Sequence, residues 1–228
     1  MPRVLVFDVN ETLLDLTVLE PHFGHVFGDK TMLREWFNQV IQFAEALTLA
    51  GEYRNFGEVG RAALEMTAEA HGVRLSPEDA QEIMGGMRNL PAHPEVSQAL
   101  RCLKNAGFRM VALTNSPQAV VDAQMKQTGL QQYLERNFSV ETVRRYKPAP
   151  EPYHMVAAEV GVPMSQLRMV AAHAWDVGGA MQAGCAAAFI ARPGKAVFPL
   201  FPKPDVTGKD LAEVAEAILK AELPQRTV

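Results

Sequence analysis

The feature that most constrains this chain is its opening run, residues 4–9 (VLVFDV), in which five of six residues are apolar and the exception, Asp8, is an acid. Apolar, β-branched runs of this length form buried central strands of parallel sheets. An unpaired carboxylate is costly to bury there, so Asp8 is expected at the strand's open carboxyl end, where ligands bind in doubly wound sheets. Asn10, Glu11 and Thr12 follow with more side-chain donors and acceptors than a plain turn requires. The bland alternative is a capping acid at a strand end.

The rest of the chain changes character twice. Residues 16–93 carry no strand pattern. In residues 31–50, Trp36, Val40, Phe43 and Leu47 recur at steps of three and four, widened by Phe37 and Ile41, which predicts an amphipathic helix. A second helix is expected from 56 to 71, ended by Gly72, and Ser76-Pro77-Glu78-Asp79 opens a third with an N-cap, a first-turn proline and first-turn acids. After Pro94 strand and helix patterns alternate, with strands at 109–113, 138–140, 167–172 and 187–191 and helices at 96–106, 151–160, 176–183 and 210–220. Such alternation predicts an α/β fold, a doubly wound parallel sheet formed by 1–15 and 94–228, with an inserted α-helical cap domain, 16–93, over the first strand's carboxyl end.

Composition narrows the function. The net charge is -4 and Lys and Arg are scattered, which argues against a nucleic-acid surface. No apolar run approaches the ~18 residues of a membrane span, and no charged-then-apolar leader precedes the first strand, so a cytoplasmic location with no membrane partner is expected. Cys102 and Cys185 lack metal-ligand spacing and sit among Ala and Leu, so both are expected in the core.

In a doubly wound sheet, four polar clusters should converge at the carboxyl ends of strands: Asp8 to Thr12, Thr114 to Ser116, Tyr146 to Pro148 and His173 to Asp176. A positioned, ionised carboxylate can form a covalent ester. Lys147 is the cation suited to keep Asp8 ionised, unless it is a solvated loop lysine. Thr114 and Asn115 offer donors to an anionic substrate or leaving anion, or serve the turn before Pro117. Asp176 is also an ordinary first-turn acid, favoured by the helix dipole. Trp175 fits a pocket wall or simple packing, and His173 a base, a water-orienting group or a structural residue.

Asp8 with Thr12, Thr114-Asn115, Lys147 and Asp176, in this order around a helical insert, resemble the haloacid dehalogenase superfamily over nearly the whole chain. The stretches FDVNETLLD, LTNS, YKPAPEPY and HAWDVGGA most resemble its L-2-haloacid dehalogenase branch. Phosphatases of the superfamily generally carry a second Asp two residues after the nucleophile, where this chain has Asn10, and acids where it has Ala171-Ala172-His173-Ala174. A phosphatase or other small-molecule hydrolase, or a catalytically silent binding protein, is thereby the alternative.

The resemblance implies that Asp8 attacks the carbon bearing the halogen of a small haloacid and that water then hydrolyses the ester, with no cofactor and no metal. It implies that Lys147 keeps Asp8 anionic, that Thr12 and Asn115 orient groups around it, and that Asp176 with His173 positions or activates water. Tyr153 matches a family tyrosine, and a homodimer is expected. Because Lys147 balances charge rather than packing, its removal should leave the fold intact.

Three departures stand out. The family commonly has Tyr at Asn10, and two serines and an asparagine at Ala171, Ala172 and His173. It also has an Arg after the Trp of the first cap helix, where this chain has Phe37. Phe37 is then expected to form an apolar wall and halide contact to pass to Asn115. Asn10, Gln39, Ile41, Thr114, Tyr153 and Trp175 would complete the substrate and halide pocket, which suits a haloacetate.

Overall fold

The computed structural model describes residues 2–223. Met1 and residues 224–228, which the expected core segment includes, lie outside the described residues. The chain runs β1 (Val4–Phe7), α1 (Glu20–Phe27), α2 (Met32–Leu49), α3 (Phe56–Ala70), α4 (Pro77–Gly86), α5 (Val96–Asn105), β2 (Met110–Thr114) and α6 (Gln118–Gln127). It continues β3 (Arg136–Ser139), α7 (Pro150–Val160), β4 (Leu167–Ala171), α8 (Ala174–Gln182), β5 (Ala186–Ile190), β6 (Val206–Gly208) and α9 (Leu211–Glu222).

The six strands form one parallel sheet in the order β3-β2-β1-β4-β5-β6. β1 is central, with Leu5 opposite Met110 on one side and Arg168 on the other. Every residue of β1, β2 and β4 is buried, Arg168 and Thr114 included, as strands covered on both faces require. The chain leaves β1 outward to β2 and β3 and then returns to β4, so strand order reverses at β1. Asp8 follows β1 directly, at the switch point where ligand crevices form.

Among the described residues no strand falls between β1 and β2 in sequence, and α1 to α4 pack on one another. The two crossings between this helical insert and the sheet run side by side. Leu14 bridges Ala92 in antiparallel fashion, the Asp15 N–H donates to Pro91 O (2.8 Å) and the His93 N–H to Leu13 O (3.0 Å). Two insert helices start as their sequences dictate. Asn55 and Glu58 form a reciprocal capping box on α3, and Ser76 caps α4 ahead of Pro77.

Three expectations change. The predicted stripe on α2 is rotated: its buried face runs through Trp36, Phe37, Val40, Ile41, Ala44 and Thr48, and Phe43 is 39% exposed. The cause is that α2 has partners on several sides. Trp36 packs on Phe23 of α1 (5.2 Å between rings) and donates to Gly60 O of α3 (2.9 Å), while Thr48 accepts the Tyr146 N–H from the core (3.0 Å). Cys102 is exposed because the buried face of α5 is Val96, Ala99, Leu100 and Leu103, whereas Cys185 is buried as expected. β6, a three-residue edge strand, is too short to show a period in sequence. Among the described residues no helix is long and apolar enough to cross a membrane.

Candidate active site

The four polar clusters meet beyond the carboxyl ends of β1, β2 and β4. Asp8 is 5% exposed. Its Oδ1 accepts from Lys147 Nζ (2.9 Å), and its Oδ2 accepts from the Thr12 hydroxyl (2.6 Å) and from His173 Nδ1 (3.0 Å). Thr12 is itself oriented by the Ala172 N–H, which donates to its Oγ1 (3.0 Å), and its carbonyl accepts from Arg192.

Lys147 is completely buried, so the solvated-loop alternative fails. Its ammonium donates to Asp8 Oδ1, to Asp176 Oδ2 (2.6 Å) and to Leu113 O (3.0 Å), which uses all three protons. Removing it would strand two buried carboxylates, so the expectation that the fold would be indifferent to its loss is corrected. Asp176 is held from its other side by the Tyr153 hydroxyl, which donates to Oδ1 (2.7 Å).

Electrostatics separate the two acids. Burial alone would raise the Asp8 carboxyl, but Lys147, the bond and charge of His173, and the Thr12 hydroxyl hold it well below the usual carboxylate range. Asp176 is pushed upward, by burial and by the neighbouring Asp8 charge, against the pull of Lys147 and Tyr153. Burial would also lower Lys147, yet Asp176 and Asp8 together keep it protonated.

The remaining expected residues fall into two groups. Asn115 receives the Lys147 backbone N–H on Oδ1 (3.1 Å), and its buried Nδ2 has no partner among the described residues. Asn10 donates from Nδ2 to Ser116 Oγ (3.2 Å), and its buried Oδ1 has no partner among the described residues. Trp175 stacks on His173 (5.0 Å) and lies 5.8 Å from Lys147 Nζ. Phe37 is buried with its ring 6.3 Å from that of His173. It lines two cavities, one of about 350 Å³ shared with Trp36, Val40, Phe56 and Ser116, the other of about 240 Å³ shared with Glu11, Arg34 and Lys195.

The other group serves structure. Gln39 accepts from Thr67 of α3 (3.2 Å), inside the helical insert, because a helix turns its next-but-one residue away from the face that Phe37 occupies. Ile41 lies one turn beyond Phe37 on the buried face of α2. The Thr114 hydroxyl accepts the Ser116 N–H (3.1 Å), so it braces the turn while keeping its own proton to donate. Tyr153 holds Asp176.

His173 has both ring nitrogens against carboxylates, Nδ1 on Asp8 and Nε2 on Glu11 Oε2 (2.8 Å). Carboxylates only accept, so the ring must donate from both nitrogens and is an imidazolium; it has no lone pair to act as a base. Sequence reasoning gave Glu11 no role and missed Lys195, which donates to Glu11 Oε2 (2.7 Å). Lys195 lies in the loop after β5, another carboxyl-end position that the crevice rule covers. Glu11 adopts φ 59°, a left-handed conformation rare outside glycine and concentrated at functional sites.

A hard dication seeks a shell of oxygen ligands, and this donor set does not suit one. Among the described residues no three His, Cys, Asp or Glu side chains are grouped to hold a metal, and the Lys147 ammonium already stands between Asp8 and Asp176.

Comparison with known proteins adds an independent line. A family model described as a haloacid dehalogenase-like hydrolase matches residues 2–184. The chain is 26% identical to an (S)-2-haloacid dehalogenase of Pseudomonas fluorescens over 95% of its own length and 96% of the relative's. It is 28% identical to haloacetate dehalogenase H-2 of Moraxella sp. over 90% and 92%. A crystal structure of an L-2-haloacid dehalogenase superposes with a TM-score of 0.91 at 27% identity, covering 95% of this chain and 98% of that one.

Proposed function

The chain belongs to the haloacid dehalogenase-like hydrolases, and we propose that within this family it hydrolyses the carbon–halogen bond of a small 2-haloacid through an ester on Asp8. The observation that carries the reading is the state of Asp8: a buried carboxylate at the switch point, held anionic by Lys147 and Thr12, with no second acid two residues on. The names of the relatives, one an (S)-2-haloacid dehalogenase and one a haloacetate dehalogenase, support the same substrate class.

In the first step an Asp8 oxygen attacks the carbon bearing the halogen, the new C–O bond forms as the C–X bond breaks, and halide leaves with the bonding pair. The unpartnered Asn115 Nδ2 is the donor suited to receive it. In the second step water attacks the ester carbonyl, releasing the 2-hydroxy acid with an original Asp8 oxygen. Asp176, raised in basicity by burial, takes the water's proton and returns it to the departing alkoxide, while Lys147 and Tyr153 fix its orientation. Phe37 and Trp175 form apolar walls that favour a haloacetate.

Residues 16–93 act in this reading as a cap domain, joined to the core by the paired crossings at Leu14 and Ala92. A homodimer, expected on the resemblance alone, and a cytoplasmic location, expected on the sequence, accompany the proposal. The test is halide release from chloroacetate, fluoroacetate and L-2-chloropropionate beside phosphate release from a general phosphatase substrate. Halide without phosphate is expected; phosphate release alone would transfer the site to phosphoryl chemistry, and neither product would make the chain a binding protein.

A further inference from the structure

The two oxygens of Asp8 are not equivalent. Each carboxylate oxygen has two lone-pair sites. Oδ2 has both engaged, by Thr12 Oγ1 at 2.6 Å and His173 Nδ1 at 3.0 Å, whereas Oδ1 meets only Lys147 Nζ at 2.9 Å. An oxygen with a lone pair to spare is the one that can form a bond to carbon. The other stays behind as the carbonyl oxygen of the ester and becomes the oxyanion when water adds to the carbonyl carbon.

We propose, resting on the Asp8-ester reading, that Oδ1 is the attacking oxygen and that the His173 imidazolium and the Thr12 hydroxyl form the oxyanion hole for Oδ2 in ester hydrolysis, with Glu11 as the positioning residue that keeps the imidazolium in place. The atoms balance without a further reagent. Water's oxygen bonds to the Asp8 carbonyl carbon as one proton passes to Asp176, and the negative charge gathers on Oδ2 between two donors. Collapse breaks the bond to the alkoxide, which takes that proton back from Asp176 and leaves as the hydroxy acid, and Asp8 gives its remaining proton to solvent. Donors already aimed at the developing oxyanion stabilise the transition state of acyl transfer strongly, because nothing has to reorient as the charge forms.

The surroundings of His173 suit a permanent cation. Asp8 and Glu11 face its two nitrogens, Phe37 of α2 and Trp175 of its own helix cover the ring, and Lys147 and Asp176 lie on the far side of Asp8. Beyond Glu11, Lys195 completes the line of charges at the wall of the 240 Å³ cavity, with Arg34, Lys30 and Glu20 farther around it. Burial opposes the charge, but hydrogen bonds to Asp8 and Glu11 and their charges raise His173 to about 9. The family arginine of the cap helix is replaced by Phe37, and Phe37 lies against this imidazolium, so the site carries a cation on the core side of the same ring.

The experiment is rapid-quench single-turnover and steady-state kinetics with chloroacetate, following chloride and, by mass spectrometry, alkylated Asp8, in the wild type, His173→Gln and Glu11→Gln. In His173→Gln, first-turnover chloride release is expected within about threefold of wild type. Its steady-state turnover should fall about 10²-fold, with alkylated Asp8 accumulating. In Glu11→Gln the alkaline limb of ester hydrolysis, near pH 9 in the wild type, should move to lower pH while the rate of alkylation holds. His173→Ala, which has no donor, should hydrolyse the ester more slowly than His173→Gln, whose amide still offers a neutral N–H. Equal slowing of chloride release and turnover in His173→Gln, without accumulated ester, overturns the proposal. If His173→Gln does not fold, an unmoved alkaline limb in Glu11→Gln overturns it. A wild type that releases chloride without ever forming an ester fails the Asp8-ester reading itself, and the inference falls with it.

Discussion

Strand β4 carries a cluster of charges at each end, and the two clusters are built differently. At its start, Arg168 places all five of its N–H groups: two on Asp205 (2.6 and 2.8 Å), two on Glu222 (2.8 and 2.9 Å) and one on Ala187 O (3.1 Å). Asp205 keeps 57% of its side chain in solvent. Beyond its other end, Asp8, Lys147, Asp176 and His173 are all buried, and the polar atoms Asn115 Nδ2 and Asn10 Oδ1 beside them have no partner among the described residues. A cluster that serves stability saturates its donors and leaves part of its charge to water. One that serves chemistry is sealed yet incomplete, since buried polar groups without partners are rare in structural regions.

The largest effect expected from this contrast is on Asp8. Asp8→Asn should lower turnover by more than about 10⁴-fold while the protein stays folded, because the amide keeps the volume and loses the nucleophile. Lys147→Met should act on both properties. Turnover should fall about 10²- to 10³-fold, and chemical denaturation should report a loss of about 3–5 kcal/mol, because two carboxylates are left buried without their cation. Arg168→Met is the control from the opposite end: a smaller loss of stability, because Asp205 reaches water and Glu222 keeps Arg3 (2.7 Å), with kcat unchanged at temperatures where the variant is folded. If Arg168→Met lowered kcat as far as Lys147→Met, the two ends of the strand would not be separate in function.

The smallest effect is on the pH dependence of stability. Glu11 is lowered to about 2, by His173 and Lys195 working against burial, so its contribution is complete above its ordinary 4.5 and lost as pH falls toward 2. His173 is raised to about 9, so its contribution is complete below its ordinary 6.5 and lost as pH rises through 9. Melting temperatures across this range should fall at both extremes, and Glu11→Gln should flatten both arms. An unchanged profile in that variant would separate Glu11 from the charge network.

Much of this was legible from pattern. The buried strands could be seen because residues 4–7 and 110–113 are continuous and apolar and 167–171 are apolar apart from Arg168, and the site because the crevice rule ties strand ends together over distances of more than a hundred residues. What was not legible depends on rotation and on distant partners. Gln39 and Phe37 are both near Trp36 in sequence, and only packing of α2 against α1, α3 and the core decides which one meets His173. Lys195 lies in a Pro-Gly loop with no period, and its pairing with Glu11 spans 184 residues. Thr114 shows the converse limit: a hydroxyl at a strand end suits a ligand or a turn equally well in sequence, and here it accepts the Ser116 N–H of the turn with its own proton left to donate.

Covalent bonding of Asp8 to substrate is what every other role in the site depends on. It is tested most directly by a single turnover of chloroacetate in heavy-oxygen water with enzyme in excess, followed by mass spectrometry of the Asp8 peptide and of the glycolate. If water attacks the ester carbonyl, the label should enter the Asp8 carboxylate and the glycolate should carry ordinary oxygen; this is the expected result. Label in the glycolate after that first turnover, with Asp8 unlabelled, would mean that water attacks the substrate directly and would contradict the Asp8 ester.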